Sequence, residues 1–404
     1  MARMQKLPRR KFNNWRCLGL NHKANKGFIS VVRGYAAVVA KDARYEMRRA
    51  AVNHAVATLN PGYFALVMST GILSVGMHNH NLDMLSIALL WITIASYLIL
   101  VFLTIWRAIA FGAELLTDFT DPRRGFGFFT FVASTDVLGT RLALAGFHRT
   151  AFLLLTIGWL SWLALGYIVP WTALLGRADR PVLAGANGTW FIWVVASESV
   201  AVLAAGLEPT VHTGRRELAL LAVLSWSVGI FLYAAAGIFV SARLLLYPLN
   251  PIDLNPPYWV AMGATAITVL AGARIVEMAE APIVVATRGL IAGLSVVFWA
   301  FGSWLVPALV AAGWWRHVTN RIPLRYEATL WSIVFPLGMY GVAGYYLGRA
   351  DHLPIVEAIG QAEIWVALAA WLLTFVAMLI HLLRTLLWQP QISLSEQSAA
   401  FRAT

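Results

Sequence analysis

Cysteine, charge and catalytic signatures are all scarce in this chain, and each scarcity excludes something. One cysteine, Cys17, stands among 404 residues, so no disulfide can close within the chain and no cysteine-based metal cluster can form. The histidines offer no metal site in exchange. The pair in "HNH" at 78–80 sits in a predicted short loop without a carboxylate–histidine cluster, and reads as a solvated loop. There is no HExxH, no GxSxG, no Walker loop and no dinucleotide fingerprint. The residues therefore name no metal and no cofactor, and they support neither an ATP-driven machine nor a soluble-type enzyme. Charged residues are 12% of the chain and hydrophobic residues 59%, whereas a soluble domain carries about 25% charged residues. That balance excludes a water-soluble fold, and nothing in it points to a nucleic-acid partner.

What is present is a series of apolar runs long enough to cross a bilayer. Ten are predicted, at 60–77, 84–105, 125–145, 150–170, 188–207, 217–246, 257–276, 283–312, 326–347 and 354–386. They are separated by short segments rich in proline, glycine or charge, such as "TDPRRG", "LEPTVHTGRRE" and "YPLNPIDLNPP". The sixth, eighth and tenth runs exceed the bilayer thickness and must tilt or extend into water. The organisation expected is a basic leader at 1–57, a ten-helix membrane domain at 58–388 and a tail at 389–404. Of the net charge of +12, the leader holds thirteen Lys and Arg against Asp42 and Glu46. It reads as a cytoplasmic tail; a start at Met47 is the competing reading. Its apolar stretch "GFISVVRGYAAVVA" is short and interrupted by Arg33, which argues against a cleaved signal peptide. With the N-terminus inside, the inner loops and C-terminus hold eleven arginines and the outer side seven. The lysine and arginine bias thus places both termini of a multi-pass protein in the cytoplasm; the expected location, which the bias does not itself fix, is a plasma (inner) membrane.

Two acids stand near the centres of predicted helices, Asp136 and Glu198. "FFTFVASTDV" (128–137) and "FIWVVASESV" (191–200) match at five of ten positions, so each acid belongs to one copy of a candidate repeat. A charge at mid-bilayer costs about 2.5–3.5 kcal/mol on insertion scales. Such residues line a water-filled path and exchange protons, or they tie helices together, with Arg141 and Arg274 as candidate partners. Arg274 could also attract anions at an outer vestibule, or pair with Glu277 or Glu280. Small and hydroxyl residues recur on the odd helices: Ser69, Thr70, Gly71, Ser74 and Gly76 on the first, Gly263, Thr265, Thr268 and Gly272 on the seventh. They serve close helix packing or leave room along a lumen. Pro336 breaks the ladder of the ninth run directly behind Phe335. A packing kink explains that step; so does a bend that presents an aromatic ring to a lumen.

"PGYFALVMSTGILSVG", "FGFFTFVASTDVLG", "NGTWFIWVVASESVAVL", "PPYWVAMGATAI" and "WSIVFPLGMY" resemble, in order, the first, third, fifth, seventh and ninth helices of the tellurite-resistance/dicarboxylate transporter family. That family includes fungal malate and sulfite permeases and plant slow anion channels. The resemblance covers roughly 58–388. It implies an all-α integral membrane protein of ten transmembrane helices, arranged as five helical hairpins around a central pore, and a homotrimer with one pore per subunit. It implies that the odd helices line the pore, which places Thr70, Gly71, Phe131, Thr265 and Met339 beside Asp136 and Glu198 as pore-lining candidates. It matches Phe335 and Pro336 to the family's Phe-Pro plug, a dry constriction that gates by dewetting. The first helix departs from the family's usual Met-Gly-Thr-Gly by reading Met68-Ser69-Thr70-Gly71. Acids on pore-lining helices would repel anions if charged. The expected function is transport of small anions: an inorganic anion, an oxyanion such as tellurite or sulfite, or a C4-dicarboxylate. A proton-coupled carrier using Asp136 or Glu198, and a membrane enzyme or sensor without transport, are the alternatives.

Overall fold

The computed structural model describes residues 35, 45–46, 49–176, 181–278 and 281–387. Most of the predicted leader, with Cys17, lies outside these residues, and so does the predicted tail at 389–404. The chain divides into Met1–Ala55 and Val56–Thr404. The described residues of the first unit are helical.

In the second unit, all ten predicted runs form helices. They are α1 (Ala65–Asn79), α2 (Asp83–Ala110), α3 (Phe129–Leu144), α4 (His148–Val169), α5 (Phe191–Leu207), α6 (Arg215–Leu246), α7 (Val260–Val276), α8 (Pro282–Trp314), α9 (Trp331–Ala350) and α10 (Pro354–Leu387). No strand occurs among the described residues. Eight of the ten are long and apolar enough to cross a membrane. The other two, α1 and α3, have 15 and 16 residues. The long even helices α6, α8 and α10 have 32, 33 and 34 residues, or about 50 Å at 1.5 Å per residue, so they overrun the hydrocarbon.

Odd and even helices differ in burial. The spans of α5, α7 and α9 are 89%, 78% and 78% buried, whereas those of α2, α4, α6, α8 and α10 are between 17% and 39% buried. The odd helices therefore form the inside and the even ones the lipid-facing outside. Each odd helix pairs with the even helix that follows it, giving five hairpins. The odd helices also pack on one another in the order α1, α3, α5, α7, α9, and α9 closes back on α1. The result is a ring of five inner helices inside a coat of five outer ones.

Every inner helix enters through a short 3₁₀ turn: Pro61–Phe64, Gly125–Phe128, Gly188–Trp190, Pro256–Trp259 and Ala328–Leu330. Asn60 and Asn187 cap two of them, each side chain accepting from the amide two residues on, Gly62 and Thr189, at 2.8 Å. Asn255 occupies the same place before α7, but two residues on stands Pro257, which has no N–H to give. Its side-chain oxygen is buried and unpartnered. Below this end, Arg107 of α2 donates to the carbonyls of Ala57 and Leu59 and pairs with Asp118 at 2.8 Å, while Arg124 meets the same carboxylate at 3.1 Å. That network fixes the short helix Gly112–Thr120 against the start of α1.

The α9–α10 hairpin packs through glycines on both helices. Gly341 and Gly344 of α9 face Gly360 of α10 backbone to backbone, and Gly348 faces Glu357. A Cβ on Gly360 would lie 2.6 Å from the Tyr345 nitrogen and 2.7 Å from the Gly341 oxygen. Small residues in this spacing let membrane helices approach and gain dispersion contact. Gly360→Ala is expected to destabilise the protein by about 1–3 kcal/mol, the usual cost of overpacking. Gly237→Ala on α6, where a Cβ meets nothing within 4 Å, is the control. Thermal unfolding in detergent checks this; equal midpoints for the two variants would refute the packing argument.

Candidate functional site

A cavity of about 280 Å³ lies within the inner ring, toward the C-terminal ends of its helices, and all five contribute to its wall. Its apolar lining includes Ile72 of α1, Val137 of α3, Ile267 of α7 and Met339 of α9. Its polar groups are Thr140 of α3, Ser199 of α5, Thr210, Arg274 of α7 and Tyr346 of α9. One helical turn earlier on the same faces stand Met68, Ala133, Val195, Gly263 and Phe335, since residues four apart share a helix face. Met68, Ala133, Val195 and Phe335 are all at most 2% exposed, and Gly263 is buried too. In that layer Phe335 is the one aromatic, and it is set among small or flexible side chains.

The helix α9 runs through Pro336 without interruption. The proline ring packs on Gly263 of α7, where a Cβ would come within 2.8 Å of its Cγ. Glycine at 263 is thus what admits the Phe-Pro step into the ring.

Two cations sit around the cavity. The Arg274 guanidinium, on the cavity wall, donates to Glu277 at 3.2 Å and lies over the Tyr346 ring at 5.2 Å. Glu280, its other predicted partner, lies outside the described residues. Arg141 is buried behind the wall. Its Nε and Nη2 donate to the hydroxyls of Ser74 and Ser86 at 2.9 Å, and its Nη1 has no partner. Both hydroxyls spend their own protons on backbone carbonyls, so their lone pairs are free to receive the guanidinium. No carboxylate lies within ion-pair distance of Arg141 among the described residues.

The two central acids are not among the cavity-lining residues. Each is fully buried in a crevice between an inner helix, its outer partner and the next inner helix. Asp136 accepts from Ser199 of α5 at 2.8 Å, and Glu198 accepts from Thr268 of α7 at 3.2 Å. In both acids the second carboxyl oxygen is unpartnered. A Cβ on Gly158 of α4 would strike the Asp136 carboxyl, and one on Gly229 of α6 would strike that of Glu198. The two sites are therefore copies of one arrangement, acid, outer-helix glycine and next-helix hydroxyl. Neither acid forms an ion pair with a described residue. Ser199 alone belongs both to this arrangement and to the cavity wall. Sequence reasoning did not single it out, although it stands 63 residues after Asp136, at the equivalent position of the repeat.

The remaining predicted residues are dispersed. Met339 lines the cavity. Thr70 receives the Trp371 indole N–H of α10 at 2.9 Å. Gly71 packs on Val137 and Thr93. Phe131 stacks on Tyr97 of α2. Thr265 caps the carbonyl of Met262 and abuts Gly302 of α8. Among the described residues no group of three His, Cys, Asp or Glu is placed to hold a metal ion.

Known proteins give the arrangement a context. The chain is 72% identical over 156 residues to an uncharacterized membrane protein of Mycobacterium tuberculosis, a stretch that is 39% of this chain and 79% of that relative. It is 24% identical over 324 residues to an uncharacterized transporter of Methanocaldococcus jannaschii, covering 78% of this chain and 91% of the relative. A second uncharacterized transporter of that archaeon is 23% identical over 323 residues. Residues 58–379, nearly the whole ten-helix region, match the family described as SLAC1, voltage-dependent anion channel, and this chain, a multi-helix membrane protein of transporter type, belongs to that family.

Proposed function

We propose that the protein carries small anions along the axis of the inner ring, and that Phe335 closes the axis in the state described. The supporting observation is the stacking of layers. A cavity built by all five inner helices sits one turn above the level of Phe335, Met68, Ala133, Val195 and Gly263, which share the faces of its lining residues. An apolar layer of that kind excludes water, and an ion cannot pass where its hydration shell cannot follow. Pro336 and Gly263 set the backbone approach that brings the ring there. Arg274 and Arg141 supply positive potential around the cavity, and low-dielectric walls focus it. Their charge favours anions. The repulsion expected from Asp136 and Glu198 is weakened because both lie behind the wall.

The candidate cargo classes are an inorganic anion, an oxyanion such as tellurite or sulfite, and a C4-dicarboxylate. The membrane is the plasma (inner) membrane, both termini are cytoplasmic, and the cavity then opens outward. On the family resemblance, the assembly is a homotrimer with one pore per subunit.

A second reading rests on Ser199. Ser199 lines the cavity and its hydroxyl donates to Asp136, so a proton on Asp136 has a route to the anion path. Coupled proton–acid carriage would use that route.

Flux in proteoliposomes tests the first reading. Phe335→Ala is expected to raise chloride flux by at least about ten-fold, equivalent to about 1.4 kcal/mol off the barrier. Unchanged flux in a folded variant would make the ring a packing residue. Arg274→Gln is expected to lower anion flux about two- to ten-fold at low ionic strength, with the difference shrinking as salt screens the charge. The second reading predicts that Asp136→Asn, which keeps the hydrogen bond and loses the exchangeable proton, abolishes malate uptake driven by a pH gradient while chloride flux persists. Equal uptake by wild type and Asp136→Asn at every pH would dismiss it.

A further inference from the structure

A second cavity, of about 350 Å³, lies away from the axis at the opposite end of the inner helices. It is bounded by the start of α7, the start of α9, the C-terminal end of α8 and the helix-free segment 321–327. Its walls are apolar on the side of the membrane helices, with Trp259, Leu309, Val310 and Ile333, and carry two cations, the buried Arg316 and the exposed Arg325. His317 and Glu327 also reach it; His317 is occupied with the Ile322 carbonyl at 2.8 Å, and Glu327 is exposed.

Two polar groups in this crevice are buried without partners. Arg316, 8% exposed, spends its Nη1 on the carbonyls of Ile252 and Leu254, at 2.8 and 3.1 Å, and more weakly on that of Pro251. Its Nε–H has no acceptor, and no carboxylate pairs with it among the described residues. Asn255 is the cap that Pro257 deprived of its donor, and its side-chain oxygen is free. A buried donor and a buried acceptor left unsatisfied in one crevice each carry a desolvation cost. A single ligand bearing an anionic oxygen and a hydroxyl would relieve both. The span of α8 is only 17% buried, so this crevice opens where a lipid-facing helix reaches the membrane boundary.

We propose that the crevice binds an anionic phospholipid whose headgroup carries hydroxyls, of the phosphatidylglycerol class. The phosphate meets Arg316 and Arg325, a glycerol hydroxyl donates to Asn255, and the first methylenes lie along Leu309, Val310 and Ile333. The apolar wall selects a lipid over a free phosphate, and the two arginines select an anionic lipid over a zwitterionic one.

Two substitutions probe the site without touching the anion path. Arg325 is exposed, and Arg325→Gln removes one phosphate contact. Gly313 lines the crevice, and a Cβ there meets nothing within 4 Å, so Gly313→Leu fills the space while improving helix propensity. The full chain in detergent, analysed by native mass spectrometry, is offered phosphatidylglycerol, phosphatidylcholine of the same chains, and glycerol 1-phosphate. Wild type is expected to retain phosphatidylglycerol about five-fold more than phosphatidylcholine, the effect of one basic residue or more at an anionic headgroup. Arg325→Gln is expected to lower that retention about five-fold, and Gly313→Leu to abolish the preference. Equal retention of the two lipids overturns the proposal. So does indifference to both substitutions, and so does binding of glycerol 1-phosphate as tight as that of the lipid.

Discussion

A backbone amide or carbonyl left unpaired in hydrocarbon costs several kcal/mol, and this fold depends on never leaving one there. Ten helices meet that demand within themselves. The exceptions are confined to places where protein supplies the partner. The 3₁₀ entries of the inner helices lie at their ends, and Asn60 and Asn187 close two of them. Pro336 removes one donor inside α9, deep in the inner ring, where Gly263 receives the proline ring. The same rule accounts for the hydroxyls. Thr93, Thr265 and Ser295 each return their proton to a carbonyl within their own helix, which leaves only lone pairs to offer elsewhere.

Glycine then sets how closely the two helix layers approach. Gly158 and Gly229 on outer helices admit the carboxyls of Asp136 and Glu198, Gly272 and Gly302 admit close contact between α7 and α8, and Gly360 carries α10 onto α9. The acids are thereby held in the seam between layers, not on the axis. A fixed charge in such a seam would need a cation, and none is within reach among the described residues; a hydroxyl donor and a glycine are what the seam provides. At Gly158 and Gly229, stability of the hairpin layers and accommodation of the acids are consequently one packing problem, because a Cβ there that separates the layers also displaces a carboxyl.

Much of this was legible in the sequence. The ten apolar runs, their order and the segments between them could be read directly, and the five segments carrying the family resemblance are α1, α3, α5, α7 and α9. Burial explains why those five were recognisable: a helix enclosed on all sides is constrained at every position, whereas an outer helix need only be apolar toward lipid. The same enclosure hid the direction of each side chain. An inner helix has no polar face, so periodicity could not tell which residues meet the axis. Thr70, Phe131 and Thr265 share the composition of a lumen, yet they turn toward α10, α2 and α8. Met339 turns inward. Ser199 went unremarked because serine in a membrane helix is a common packing residue; its significance lies in a partner on another helix. Asn255 was equally silent, since its free side-chain oxygen follows from Pro257 only once the turns before α1, α5 and α7 are known to be equivalent.

The connectivity itself has an electrostatic consequence. Each outer helix returns the chain across the layer, so all five inner helices point the same way. Their N-terminal ends gather at one mouth and their C-terminal ends surround the cavity. Helix ends carry about half a charge each, positive at the N-terminus and negative at the C-terminus. The ring would thus attract anions at one mouth and oppose them at the other. Four of the five inner helices carry a basic residue in the last turn: His78 on α1, Arg141 on α3, Arg274 on α7 and Arg349 on α9. The fifth, α5, has none, and the carboxylate that follows it, Glu208, is held by Arg215 at 2.7 Å. The arginines among them, Arg141, Arg274 and Arg349, offset the negative ends of their helices. The arginines at this end of the ring are therefore not isolated attractors. They are the counterweight that a parallel ring requires if an anion is to leave as readily as it enters.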